Sequence, residues 1–366
     1  MLNLPTINRH TTNSILVRIW GDQYWQEVAI AIEKAYYDVL VAHINDVPAP
    51  CGEPTPTEHR LEAFVRLASR EINSGITHLG LTSSDLEDNI RIVRLYESTK
   101  YIANRLLDTQ YRLLTKIDKN NGRFIAYTHL LPAGVIYLVD RFAPTIDALY
   151  KSSLKRPIYL KGIRGALGDR KIQHYIGITD KELDDIFSNT FIEQQKHSSQ
   201  TGDHLTEINT AQWLATNVAL IAKIANDIRM MFAFGQAECN KKDIASTALV
   251  HKLTPNPWRW EKISGLSETL FTLPSTVYHI LANCLLERTL TNQSSLSTLF
   301  REAFSTVDTI LDNFDIALEQ LRFIPNFKET EKLPEHLMSE FKLVDLVKGG
   351  LNREEAYSKL QQTFKN

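Results

Sequence analysis

The chain is short of most features that would assign it to a secreted, metal-bound or polyanion-binding class. It has three cysteines in 366 residues, Cys51, Cys239 and Cys284, widely spaced and odd in number. No CxxC pair occurs, so neither a disulfide framework nor a zinc site is indicated, and a reduced cytosol fits best. Neither sign of charge prevails: 41 basic residues stand against 43 acidic ones, a formal net charge of −2. That balance excludes the basic footprint of a nucleic-acid binder. Long apolar runs are missing. The most apolar stretch, 214–225, is interrupted by Asn217 and Lys223 and cannot span a bilayer. The opening residues, MLNLPTINRHTTNS, lack a basic region followed by an apolar run, so no signal peptide is expected there. Repeats and low-complexity tracts are absent, and no stretch shows convincing strand alternation.

What the chain does have is helical periodicity. A short helical piece is expected from Ser14 to Trp20, then a longer helix capped by Asp22, in which Val28, Ile32, Ala35 and Val39 recur at helical spacing. Pro48, Pro50, Pro54 and Pro56 mark a loop, and a helix opens at Thr57-Glu58 and runs through Ala68. Asp85 stands where an N-cap would be, ahead of a helix that continues to about Ile117 without Gly or Pro. After a short apolar segment, Phe124–His129, Pro132 is expected to open a helix to about Lys151. The glycine-rich Gly162–Gly168 (GIRGALG) lacks a GK[ST] ending and a strand–turn–helix setting, so it reads as a tight turn and not a phosphate loop.

The clearest pattern lies in 203–234. Leu214, Val218, Ile221, Ala225, Ile228 and Phe232 recur by fours and threes, which is a bundle seam. Such a helix is on the order of 45 Å long and needs equally long partners, in the chain or across subunits. Two more apolar-periodic helices are expected over 266–286, kinked at Pro274, and over 299–321; a helix pair, 337–347 and 353–364, follows a charged linker. The expected fold is all-α in three domains: 1–92, a central long-helix domain 93–322, and a short 323–366.

Between two of these helices lies ASTALVHKLTPNPWRWEKISG, residues 245–265, a polar loop whose Pro255 and Pro257 exclude regular structure. Loops held by rigid elements are where chemistry usually sits. Ser246-Thr247, His251-Lys252, Asn256-Pro257 and Glu261 resemble the signature loop of the fumarase/aspartase superfamily, in the GSSxMPHKxNP form found in adenylosuccinate lyases. Ala245 replaces the Gly, Val250 replaces the Pro, and Thr254-Pro255 is an insertion. Four further stretches resemble the same family, in order. His78–Asp85 is similar to HFGLTSxD. Thr128-His129 with Pro132-Ala133 is similar to THGQPA, with Leu130-Leu131 for Gly-Gln. Ser199-Gln200-Thr201 with Ile224–Arg229 is similar to the SxQT…KIxxDIR helix, with His204 in place of an Arg. Glu287–Asn292 is similar to ERDLSxS. Arg9-His10, Ile19–Asp22 and Asn352–Tyr357 resemble further family segments, and the terminal domain is shorter than in relatives.

The resemblance implies a fumarase/aspartase-type fold and a β-elimination without metal or organic cofactor. A succinyl-nucleotide would release fumarate in the cytoplasm, at sites shared among subunits of a homotetramer, with no nucleic acid or membrane involved. A base must take a proton beside a carboxylate, donors must hold the resulting charge, and an acid must protonate the leaving nitrogen. By resemblance Ser246 is the base and His129 the acid. Lys252 and Asn256 hold the succinyl carboxylates, and His78 with Thr82, Ser83 and Asp85 binds carboxylate and supports the acid. Thr128, Gln200, Arg288 and Arg9 bind substrate, and Glu261 orients catalytic groups. On the residues alone, Ser246 also reads as a loop hydroxyl bonded to its own backbone, Lys252 as a solvated lysine and His129 as a satisfied core histidine. Likewise Ser83 and Asp85 read as plain helix capping, Arg288 as an ion pair with Glu287 and Glu261 as a helix-start acid. Two other overall readings stay open: a related lyase or cycloisomerase with another substrate, and a catalytically silent helical paralogue.

Overall fold

The computed structural model describes residues 14–52, 60–120, 122–154, 158–239 and 255–365. Within them the fold is all-α. Three helices set its scale: α4 (Ser83–Asp118), α8 (Leu205–Ala233) and α11 (Thr291–Gln320). At 1.5 Å per residue they are each roughly 40–55 Å long. The chain divides into two compact units, one made of 1–106, 152–219 and 266–311, the other of 107–151, 220–265 and 312–366.

In the first unit α1 (Ser14–Ile19), α2 (Asp22–Leu40) and α3 (Arg60–Ile72) pack beside the start of α4. Helix α2 buries a stripe of Trp25, Ala29, Ile32, Tyr36 and Leu40. Trp25 packs edge-on against Phe64 of α3, ring centroids 5.0 Å apart, and its Nε1 donates to Glu87 of α4 at 3.0 Å. Arg105 of α4 pairs with Asp308 of α11 at 2.7 Å. The same unit holds a minimal parallel pair, β3 (Tyr159–Leu160) with β4 (Glu193–Gln194), and the short helices α6 (Lys171–Ile176) and α7 (Asp180–Asp185). Thr179 and Glu182 form a capping box on α7. Five of the six seam residues of α8 are buried: Leu214, Val218, Ile221, Ala225 and Ile228 are at or below 1% exposure, the last three within the second unit, while Phe232 is half-buried.

In the second unit β1 (Phe124–Thr128) and β2 (Leu131–Ile136) form an antiparallel hairpin with a bulge at Ala126/Tyr127, followed by α5 (Leu138–Leu154). This corrects the expected helix at Pro132: that residue lies in β2, paired with Tyr127, and the helix begins six residues later. Phe124 is fully buried, while the Ile125 carbonyl accepts from Arg141 at 2.7 Å and from Gln236 at 3.0 Å. Tertiary donors thus hold a backbone that local preference leaves free. A second small pair, β5 (Ala237–Cys239) with β6 (Leu321–Phe323), also escapes detection by alternation because three residues carry no period. Helices α9 (Trp258–Phe271) and α10 (Leu273–Ala282) replace one kinked helix, with Pro274 in the first turn of α10. The chain closes with α12 (Ser339–Lys348) and α13 (Arg353–Lys365).

Candidate active site

The start of α4 is the place where separate motif segments meet. The helix begins at Ser83, so Asp85 is in its first turn and is not the N-cap. Its Oδ2 accepts the Thr82 N–H at 3.0 Å. Its Oδ1 accepts from Lys161 Nζ at 2.8 Å and from the Arg164 N–H at 2.9 Å, and the Gly165 N–H donates to Oδ2 at 3.1 Å. The glycine-rich turn therefore does cradle an anion, namely a carboxylate of the chain itself. Asp85 and Lys161 are 0% and 1% exposed. A charge pair so deeply buried stands only because each oxygen has donors.

Lys161 Nζ also donates to the Gln200 carbonyl at 2.8 Å, which ties the Ser199–Thr201 segment to the same point. Gly168 seats that segment: its φ is +83°, and a Cβ there would come within 2.4 Å of the Ser199 backbone. Gln200 Nε2 donates to the Ala166 carbonyl at 2.7 Å. From the other side Arg288 Nη1 donates to Ser83 Oγ at 2.6 Å, 205 positions away, and Ser199 Oγ reaches the Glu287 carbonyl at 3.3 Å. So 78–85, 161–166, 199–201 and 287–288 converge within one unit. Thr82 Oγ1 and Gln200 Oε1 are buried there without hydrogen-bond partners among the described residues. The Thr82 hydroxyl, beside an arginine and a helix N-terminus, can donate to an oxygen of a ligand, whereas Gln200 Oε1 can only accept from a donor on it.

His78 enters this region in a left-handed conformation, φ +67°. Its Nδ1 lies 2.5 Å from Glu33 Oε1, and Glu33 is 1% exposed. The carboxylate fixes the ring and leaves Nε2 for other work. Glu33 was not singled out from the sequence. Its signal was nonetheless there: an acid beside Ile32 on the buried stripe of α2, where a carboxylate needs a partner.

A second buried cluster lies alongside. Arg91 Nη2 donates to Asp88 Oδ1 at 2.8 Å and its Nε to Glu207 Oε1 at 2.9 Å. Glu207 faces His204 Nδ1 at 3.3 Å, and His204 Nε2 faces Asn292 Nδ2 at 2.9 Å. Burial alone would raise the Glu207 carboxyl; Arg91 and His204 outweigh it and hold it down at about 2. The same two carboxylates outweigh burial at Arg91 and raise its guanidinium above the ordinary value. Asn292 lies in the first turn of α11, the helix that follows Arg288, so this chain of contacts braces the segment that carries it.

The second unit holds the remaining described candidates. His129 occupies the tip of the β1–β2 hairpin with Thr128 before it, and both are exposed. His129 and Leu130 have φ of +53° and +61°, the pair of positive values that a two-residue hairpin turn demands. Leu130 and Leu131 are 64% and 67% exposed, an apolar tip. Asn256 is half-buried two residues before α9, and Glu261 is exposed in the first turn of that helix. Arg9, Ser246 and Lys252 lie outside the described residues. Among the described residues no group of three His, Cys, Asp or Glu side chains is placed to hold a metal ion, and no helix is long and apolar enough to cross a membrane.

No protein-family profile matches the chain. In sequence it is similar to adenylosuccinate lyases. That of Caenorhabditis briggsae is 27% identical over 312 residues, 79% of this chain and 64% of that enzyme. That of Schizosaccharomyces pombe is 25% identical over 320 residues, 79% of this chain and 65% of that enzyme. The chain thus spans just under two thirds of the length of these relatives. In fold it is similar to the 3-carboxy-cis,cis-muconate lactonizing enzyme from Pseudomonas putida, with a TM-score of 0.75 at 17% identity over 98% of this chain and 86% of the other. A fumarate lyase from Mesorhizobium sp. BNC1 matches with a TM-score of 0.71 at 16% identity, over 95% and 84%. The architecture is therefore the all-α, long-helix fold that these two enzymes have.

Proposed function

We propose that the chain is a carbon–nitrogen lyase that releases fumarate from a succinylated amine. Adenylosuccinate and the succinylated imidazole-carboxamide ribotide of purine biosynthesis are its substrates, in the cytoplasm. The observation that carries this reading is the convergence of three motif segments on the N-terminus of α4, through Asp85–Lys161–Gln200 and Ser83–Arg288. The likeness to individual adenylosuccinate lyases supports it from the sequence side.

In this reading Ser246 takes the proton from the carbon next to a succinyl carboxylate. Lys252 and Asn256 hold the charge that develops on that carboxylate. The C–N bond breaks, its electron pair leaves on nitrogen, the carbon–carbon double bond of fumarate forms, and His129 gives its proton to the nitrogen. His78, oriented by Glu33, binds carboxylate together with the Thr82 and Ser83 hydroxyls. The N–H groups that open α4 and the Arg288 fork add fixed positive potential. Asp85 acts from behind: its carboxylate is saturated by the chain's own donors, so it shapes the anion site without meeting the substrate. Gln200, Thr128 and Arg9 line the substrate, and Glu261 orients the loop. Protomers of a homotetramer share each site.

A second reading has an observation in its favour. The Leu130-Leu131 tip offers no hydrogen bond next to His129, so a substrate with an apolar rather than a polar leaving group would suit it better. Fumarate release from purified protein separates the two. Turnover of adenylosuccinate, abolished by Ser246→Ala and by His129→Ala, supports the first. Inertness toward adenylosuccinate with turnover of another succinyl compound supports the second. A folded oligomer inert to all of them removes both.

A further inference from the structure

Arg288 is the cation beside the α4 N-terminus, yet the chain around it buries little of its own. Leu285, Leu286 and Leu290 are 62%, 92% and 67% exposed, so residues 285–290 bury none of their leucines. Apolar packing by those side chains does not fix the segment, and polar contacts must. Arg288 donates from Nη1 to Ser83 Oγ at 2.6 Å and from Nη2 to Gln293 Oε1 at 3.3 Å. Gln293 belongs to the first turn of α11, so the direction of the guanidinium follows that turn.

The same turn is fastened at Asn292. Asn292 and His204 are 1% and 2% exposed, and Asn292 Nδ2 lies 2.9 Å from His204 Nε2. His204 stands immediately before α8, with a left-handed φ of +56°. Its Nδ1 faces Glu207, which pairs with Arg91 of α4, and Asp88 pairs with the same guanidinium. All of these residues lie within the first unit. The two ring nitrogens thus have separate duties: Nδ1 belongs to the charge cluster, and Nε2 reaches α11. The link at Nε2 survives either charge state of the ring. An unprotonated Nε2 accepts the Asn292 N–H. With both nitrogens protonated the amide turns over, and Asn292 Oδ1, buried without a partner among the described residues, accepts instead.

We propose that Asn292, held by His204 Nε2, is a positioning residue for Arg288. It fixes the first turn of α11 and, through Gln293, aims the guanidinium at Ser83 and the start of α4. The anion that Arg288 then meets, a charged group that the substrate carries before and throughout the reaction, rests on the lyase reading given above.

Two substitutions at His204 separate the duties of its ring. Glutamine places an amide near the position of Nε2 and can keep the link to Asn292. Asparagine places one near Nδ1 and can keep the contact with Glu207 but not the link. The full chain and its variants are compared for fumarate release from adenylosuccinate. His204→Gln is expected to keep KM within about twofold. His204→Asn and Asn292→Ala should each raise it about tenfold with kcat little changed, because a contact made equally in the ground and transition states is weakened. The reverse order of the two His204 variants, or an equal loss in both, overturns the proposal. A fall in kcat with KM unchanged overturns it as well. If the wild type releases no fumarate, the lyase reading fails, and the positioning role is read from urea midpoints instead. Asn292→Ala and Arg288→Ala should then shift the midpoint non-additively, as members of one network do. Additive shifts would remove the positioning role.

Discussion

Glu33 is the side chain on which the orientation of His78 rests. Its carboxylate is buried and reaches the ring at 2.5 Å, while its other oxygen has no partner among the described residues. Glu33→Gln keeps the volume and removes the charge. A charge-assisted hydrogen bond is worth about 1.5–3 kcal/mol, so kcat/KM for fumarate release is expected to fall roughly ten- to a hundredfold while the far-ultraviolet spectrum stays unchanged. Glu207 sets an acid limit on stability. Its folded carboxyl is held at about 2, below the unfolded value of about 4.3. The unfolded chain therefore takes the proton first as pH falls. The contribution is complete above the unfolded value and is lost progressively toward the folded one. Urea midpoints should fall between about pH 4.5 and about pH 2, and the fall should be shallower in Glu207→Gln. That variant should also be less stable near neutrality, because it removes one of the two charge partners of buried Arg91.

At the level of elements the hairpin is the informative case. Its two-residue turn forces Leu130 to a φ of +61°, where a leucine pays in backbone strain and glycine does not. Leu130→Gly is expected to raise the unfolding free energy by about 1 kcal/mol, read from the urea midpoint. A drop would mean that the exposed leucine packs against something that covers the tip. A strained, apolar tip beside a candidate acid fits a place selected for what it touches rather than for stability. The long helices behave differently. The apolar stripe of α8 is buried from Leu214 to Ile228, and that part of its seam was legible from period alone because packing there repeats every turn.

For the whole molecule the proposal requires sites assembled between protomers. Ser246→Ala and His129→Ala should each be inactive alone. Mixed after mild dissociation and reassociation, they should regain fumarate release, since some mixed sites then draw both intact residues from different chains. Absence of recovery in a mixed oligomer, verified by mass, would show that one protomer supplies both groups.

Sequence alone determined the helical class, the long seam helix and the order of the motif segments, because these depend on local periodicity and on short residue patterns. Three things needed the tertiary structure. The hairpin at 124–136 is held by Arg141, from the helix that follows it, and by Gln236, 111 positions from Ile125. Glu33 serves His78 across 45 positions. Asp85 proves to cap α4 from its third position, through the Thr82 N–H, while Lys161 and the glycine-rich turn bind the same carboxylate. In each case a polar group is paid for by a partner that only folding brings near, and no period in the chain records such a pairing.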